Sequence, residues 1–244
     1  MKKSAALSAA MAVVLSASPV LAENTRNWNY RAFVYLWAPA LGGTTSTGQN
    51  VELSFSDVLD NLEFGLMGAL EANKGPISLM GDFQYLDLKS GQNAAVGPGI
   101  PASADANVSG FVFTGSAGYD FHHQKDSQLV AYGGFRYLGM DAVANVSVVG
   151  GSQRVSGKIT NFDAIVGVRG SQRLSDKWAL SYIADVGAGG SDLTWQVGAS
   201  LEYRINSWDL SFGYRHMEWD LGNSSRVLSN LSFSGPIIGA KIAF

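Results

Sequence analysis

Apolar and polar residues alternate with a period of two along most of this chain. In "LTWQVGASLEYR", Leu193, Trp195, Val197, Ala199, Leu201 and Tyr203 share one side, and Thr194, Gln196, Gly198, Ser200, Glu202 and Arg204 the other. "WALSYIADVG" sets Trp178, Leu180, Tyr182, Ala184 and Val186 against a side holding Ser181 and Asp185. "WDLSFGYR" and "FVFTGSAGYDF" repeat the pattern, with aromatics on one side and small or charged residues on the other. Side chains of a strand point alternately to opposite faces of the sheet, so these segments predict half-apolar strands.

Connections alternate in length. The short ones are Asn73-Lys74-Gly75-Pro76, His122 to Ser127, Ser175-Asp176-Lys177 and Asn206-Ser207. The long ones are Pro39 to Asn61, Ser90 to Asn107 and Ala144 to Lys158, with lesser ones at Gly189 to Asp192 and Gly222 to Arg226. Strands are expected to begin near Trp28, Leu62, Ile77, Val108, Leu129, Ile159, Trp178, Leu193, Trp208 and Leu228. The expectation is all-β: one antiparallel transmembrane barrel of ten strands over residues 23–244, with eight as the alternative count.

Composition decides which way the barrel faces. Only 15% of residues are charged, against about 25% in a typical soluble domain. Large aromatics crowd the apolar faces, while the polar faces carry small residues and isolated charges. A barrel that is greasy outside and polar inside accounts for both. Trp28, Trp178 and Trp208 fall at one set of strand ends, and Trp37, Trp195 and Trp219 at the other. That is the placement of two interfacial girdles. Trp37 and Trp219 have the interior parity, and so could cap the lumen instead.

The first 22 residues, "MKKSAALSAAMAVVLSASPVLA", read as a cleavable signal peptide: two lysines, an apolar run, then a small-residue site ending at Ala22. Of 17 basic residues, losing Lys2 and Lys3 leaves 15 against 20 acidic ones. A mildly acidic chain is a poor match to nucleic acid. With no cysteine and three histidines, neither disulfides nor a structural metal is expected. No cofactor is expected either.

The chain ends on "SGPIIGAKIAF", where Ile238, Ala240, Ile242 and Phe244 share one face. With this ending the chain resembles the small outer-membrane β-barrels of Gram-negative bacteria, of the porin-like and outer-membrane-protein-A-like kind. "FSDVLDNLEFGLMGALEANKG" and "GYRHMEWD…SGPIIGAKIAF" look like a group of uncharacterised barrels of this type. The resemblance implies a place in the cell outer membrane with both barrel ends of the chain on the periplasmic side. It implies contact with outer-membrane lipids and lipopolysaccharide, and Phe244 as a signal to the barrel assembly machinery. It brings no activity and leaves oligomeric state open.

Parity sends Arg31, Glu63, Glu71, Asp82, Asp120, Arg136, Asp163, Arg169, Asp185, Glu202, Arg204, Asp209, Arg215 and Lys241 into the lumen. Buried charges need partners, so a lumen-filling ion-pair network is expected, in which Arg204 counts as buried. The expected role is structural or interactive, or small-solute passage. No enzyme is expected, and no catalytic residue is assigned. The alternative is an outer-leaflet protease or lipid-A hydrolase at the rim near His216, with Glu218, Asp220 and Asp141 as acidic companions.

Two local expectations complete the reading. In "VELSFSDVLDNL", Ser56 caps a short helix that either plugs the mouth or rests on the rim. Near the end, Leu231 and Phe233 fall out of parity with Ile238. A β-bulge at Ser234 to Pro236 would turn both Phe233 and Ile238 toward lipid.

Overall fold

The computed structural model describes residues 27–46, 48, 50–95, 101–148, 151–222 and 228–244. The expected signal peptide lies outside them. The elements are β1 (Asn29–Trp37), β2 (Ala40–Thr45), β3 (Asn50–Leu53), α1 (Phe55–Asp60), β4 (Leu62–Lys74), β5 (Ile77–Ala95), β6 (Pro101–His123), β7 (Ser127–Val148), β8 (Gly151–Arg173), β9 (Trp178–Gly189), β10 (Leu193–Ile205), β11 (Trp208–Asp220) and β12 (Leu228–Ala243). β1 and β4 to β12 pair antiparallel in sequence, and β12 returns to pair with β1. This is a closed barrel of ten strands. β2 continues the β1 wall against β12, and β3 folds back on β2.

Each hairpin turn at the end that carries Asn29 and Phe244 is short; we call this the terminal end. In the β4–β5 turn, Gly75 takes φ 54°, which a side chain would resist, and the following proline ring fixes the next residue. At the opposite, loop end, β5 to β8 run far past the barrel: β6 and β7 stay in register out to Ala102 opposite Val148. Two of the expected long loops, Ser90 to Asn107 and Ala144 to Lys158, are thus mostly strand where described.

The exterior is apolar. Val34, Leu36, Val166 and Tyr214 all stand more than half exposed, an arrangement that only a non-aqueous surrounding favours. Trp195 faces outward, whereas Trp37 and Trp219 are buried in the lumen.

The chain end is ordered. Tyr30 and Phe244 exchange both backbone hydrogen bonds, at 3.0 and 2.9 Å, and their rings stack at 5.8 Å between centroids. Terminal pairing closes the sheet and leaves no free edge at the seam.

The expected bulge is absent. β12 keeps one register with β11 from Ile242 opposite Trp208 to Asn230 opposite Asp220. On its other side the ladder stops after Ile237 opposite Trp37 and resumes at Ser234 opposite Ala40. Two residues are skipped on each strand, Ala38-Pro39 and Gly235-Pro236, so parity survives the gap. Proline cannot donate to a ladder; here one proline on each strand interrupts bonding without a slip. Leu231 and Phe233 therefore point into the lumen, where both are buried.

Ser54, not Ser56, caps α1, and it forms a capping box with Asp57. The helix rests against β2 and β3, and Val58 is its buried residue.

Candidate functional site

The lumen is divided along its axis. In the terminal half and the middle it is charged. Strand parity delivers these groups: the odd residues of β1, β4, β8, β9, β11 and β12 face in, as do the even ones of β5, β6, β7 and β10.

Two arginines anchor the middle. Arg136, fully buried, donates through Nη2 to both carboxylate oxygens of Asp185 at 2.8 and 2.9 Å. Tyr132 donates to the same carboxylate at 2.7 Å, and Gln196 also reaches it. Arg215 donates to Asp82 at 3.0 Å, and Tyr35 donates to the other oxygen of Asp82 at 2.5 Å. Asp163 has no arginine. It accepts instead from Asn161 at 2.6 Å and from the backbone and hydroxyl of Ser191 at 2.9 and 2.8 Å.

Nearer the terminal end, Glu71 lies between Arg31 at 3.7 Å and Arg169 at 3.6 Å. Arg169 also donates to Ser78 at 2.6 Å. Lys241 donates to Glu202. Asp120 accepts from Gln128 at 2.8 Å and contacts His123 at 2.8 Å. A cavity of about 160 Å³ lies among Arg31, Glu71, Arg169, Glu202, Arg215 and Lys241.

Two expected members stand apart. Glu63 falls at a register shift between Leu62 and Phe64 and is exposed; the shift breaks the parity that would have turned it inward. Arg204 pairs with Asp209 at 2.5 Å across the Asn206-Ser207 turn, but its side chain is 54% exposed. It belongs to the terminal rim, where water reaches it, and not to a buried pair.

The loop half of the lumen is apolar, which the period-two pattern concealed. Tyr35, Trp37, Met67, Val112, Leu138, Ile159, Met217, Trp219, Leu221, Leu231, Phe233 and Ile237 form one buried cluster. Trp219 and Met217 have no exposed surface. The rings of Trp37 and Trp219 both meet Phe233 edge-on, at 6.2 and 5.5 Å. The signal lay in runs such as "HMEWDL", where Met217, Trp219 and Leu221 alternate with His216, Glu218 and Asp220. Parity gives Trp37 and Trp219 to the interior, whereas the expected bulge would have turned Leu231 and Phe233 to lipid.

Of the rim candidates, His216, Glu218 and Asp220 lie on the outer side of β11 by register. Asp141 is on β7, 3.9 Å from Lys158, and takes no part with them. His122 and His123 sit at the terminal end, against Ser127 and Asp120. Among the described residues, no three His, Asp or Glu side chains gather as a metal site would need.

No protein-family model matches the chain, and neither does any curated protein. Solved structures do resemble it. The translocator domain of the autotransporter NalP from Neisseria meningitidis matches with 17% identity and a TM-score of 0.50, over 91% of this chain and 90% of that one. The outer membrane protease OmpT from Escherichia coli matches with 12% identity and a TM-score of 0.52, over 92% and 99%. The chain has the fold of a Gram-negative outer-membrane β-barrel. At these identities the likeness extends to the fold alone.

Proposed function

We propose that the protein is an integral outer-membrane barrel with an occluded lumen, acting as a scaffold whose working surfaces are its outer wall and loop end. One observation carries this reading: seven strands send apolar side chains into a single buried layer across the loop half of the lumen. Ions crossing that layer would lose their hydration with nothing polar to replace it. Ten strands leave a bore that side chains can nearly fill.

In this reading the terminal end faces the periplasm, as short turns do in such barrels, and the charged half-lumen is a blind vestibule. Phe244 serves as the assembly signal, and the lipid-facing wall meets outer-membrane lipids and lipopolysaccharide. The lumen charges hold the wall in shape and do not conduct.

Two measurements test it. The protein should fractionate with outer membranes and migrate differently on gels before and after heating. In planar bilayers the purified barrel should give no steady unit conductance, while Trp219→Ala with Phe233→Ala should open one. Steady conductance by the unaltered chain would refute occlusion.

A further inference from the structure

On the outer wall of β11 and β12, apolar surface gives way to polar surface along one line. Toward the terminal end stand exposed Phe212, Tyr214 and Ile238. Toward the loop end stand Glu218, Asp220, Asn230 and Ser232. At the border His216 is directly opposite Ser234 in the ladder.

These residues are joined in a chain of contacts. His216 Nδ1 meets the Ser234 hydroxyl. His216 Nε2 lies 3.3 Å from Glu218 Oε2, and Asn230 donates to Glu218 Oε1 at 2.8 Å. Trp195 covers the imidazole, with ring centroids 4.6 Å apart. A neutral imidazole with its proton on Nε2 satisfies both neighbours, accepting from serine and donating to carboxylate. The site is open enough for a substrate: the side chains of His216 and Glu218 are 24% and 31% exposed.

A hydroxyl, an imidazole and a carboxylate in that order are the parts of an activated serine. We propose that Ser234, His216 and Glu218 form a hydrolytic site on the outer wall, acting on the carboxylic ester of a membrane lipid. The location selects the substrate. An acyl ester joins an apolar tail to a polar head, so it lies at the border where these residues lie, with the tail along Tyr214 and Phe212.

Ser234 Oγ attacks the ester carbonyl carbon while its proton passes to His216 Nδ1. The tetrahedral intermediate collapses, the bond to the alcohol oxygen breaks, and His216 returns the proton to that oxygen. Water then attacks the acyl-serine, losing a proton to His216, and the acid leaves as serine is restored. Ester and water give acid and alcohol, with no other reactant. Glu218 orients the imidazole and offsets its transient charge, and Asn230 holds Glu218. Ser232 is two positions along on the same face, its hydroxyl donating to the Gly42 carbonyl at 3.4 Å.

The full-length barrel in detergent is treated with a fluorophosphonate, and the labelled residue is mapped by mass spectrometry. This arm is independent of how the barrel sits in a membrane. In parallel the barrel is inserted into phosphatidylethanolamine vesicles and into vesicles containing lipopolysaccharide, and released fatty acid is measured. Labelling at Ser234, with release from either vesicle, is the expected result; which vesicle responds tells a glycerol ester from a sugar-borne one. Ser234→Ala and His216→Ala should each reduce release at least about 10³-fold, while Ser200→Ala, on the lumen side, should leave it unchanged. Heat-modifiable migration of each variant shows that the barrel still forms. Release that persists in Ser234→Ala, or a folded protein with neither label nor release, would overturn the proposal.

Discussion

Arg215 and Asp82 stand 133 residues apart in sequence and 3.0 Å apart across the lumen, with the Tyr35 hydroxyl bound to both. β5 and β11 are not neighbours in the sheet, so this contact braces opposite walls. Both groups are almost fully buried. Removing one partner leaves the other as an uncompensated charge, which typically costs ~3–5 kcal/mol. Arg215→Ala should therefore lower the urea midpoint sharply. Arg204→Ala breaks only an exposed rim pair, typically worth about 0–1 kcal/mol, and should barely move it. Equal shifts for the two would show that the middle of the lumen is wet.

Gly235 lies where β1 and β2 meet. A β-carbon there would come within 2.6 Å of the Ala38 carbonyl oxygen and 2.8 Å of Pro39 Cα, both backbone atoms. Gly235→Ala must push the strand apart, and overpacking of this kind costs about 1–3 kcal/mol. Gly65→Ala is the control, since its β-carbon would meet ordinary contacts from 3.5 Å outward. Comparing their thermal midpoints checks the close approach.

Trp219 fills the centre of the apolar layer with no surface exposed. Truncation to alanine leaves a cavity, and such changes cost roughly 3–5 kcal/mol. Trp195→Ala, on the outer wall, should cost markedly less in detergent. The difference in unfolding midpoints tests which tryptophan belongs to the lumen.

Phe244 is tied to Tyr30 by two backbone bonds and a ring contact. Deleting it should speed amide exchange at Ile242 and Ala243 and leave β6 to β8 unchanged. Hydrogen exchange with mass analysis of the C-terminal peptide reads this directly. Uniform protection would mean that the seam does not depend on its last residue.

The α1 capping box supplies a pH test outside the membrane. The Ser54 hydroxyl and backbone N–H both donate to Asp57, and they hold its carboxyl below the usual carboxylate value of 3.8. A lowered native value means that the ionised form is favoured by folding. Its contribution is present in full above the ordinary value and disappears as pH falls through the native one. Amide exchange at Val58, whose N–H bonds Ser54 O at 3.0 Å, should rise there beyond the intrinsic rate. In Asp57→Asn that step should vanish.

The sequence by itself determined the architecture, because a period of two is local and survives without knowledge of partners. "LTWQVGASLEYR" reads as a strand with an aromatic face wherever it sits, and short turns such as Asn206-Ser207 set which strands neighbour each other. The inward charges Arg136, Asp185, Arg215 and Asp82 were legible for the same reason. What alternation cannot tell is which apolar set meets lipid once both sides of the barrel wall hold some. Leu231 and Phe233 look lipid-facing in the chain and lie in the lumen, because the lumen changes from polar to apolar along its axis. Register is likewise a tertiary property: Gly235-Pro236 reads as a slip until Ala38-Pro39 is set opposite it, and the two gaps cancel. The unbroken β11–β12 register sets Ser234 opposite His216 on the outer side. Sequence reasoning placed the histidine at the outer rim and missed its serine, for partners 18 residues apart are joined only by how β11 pairs with β12.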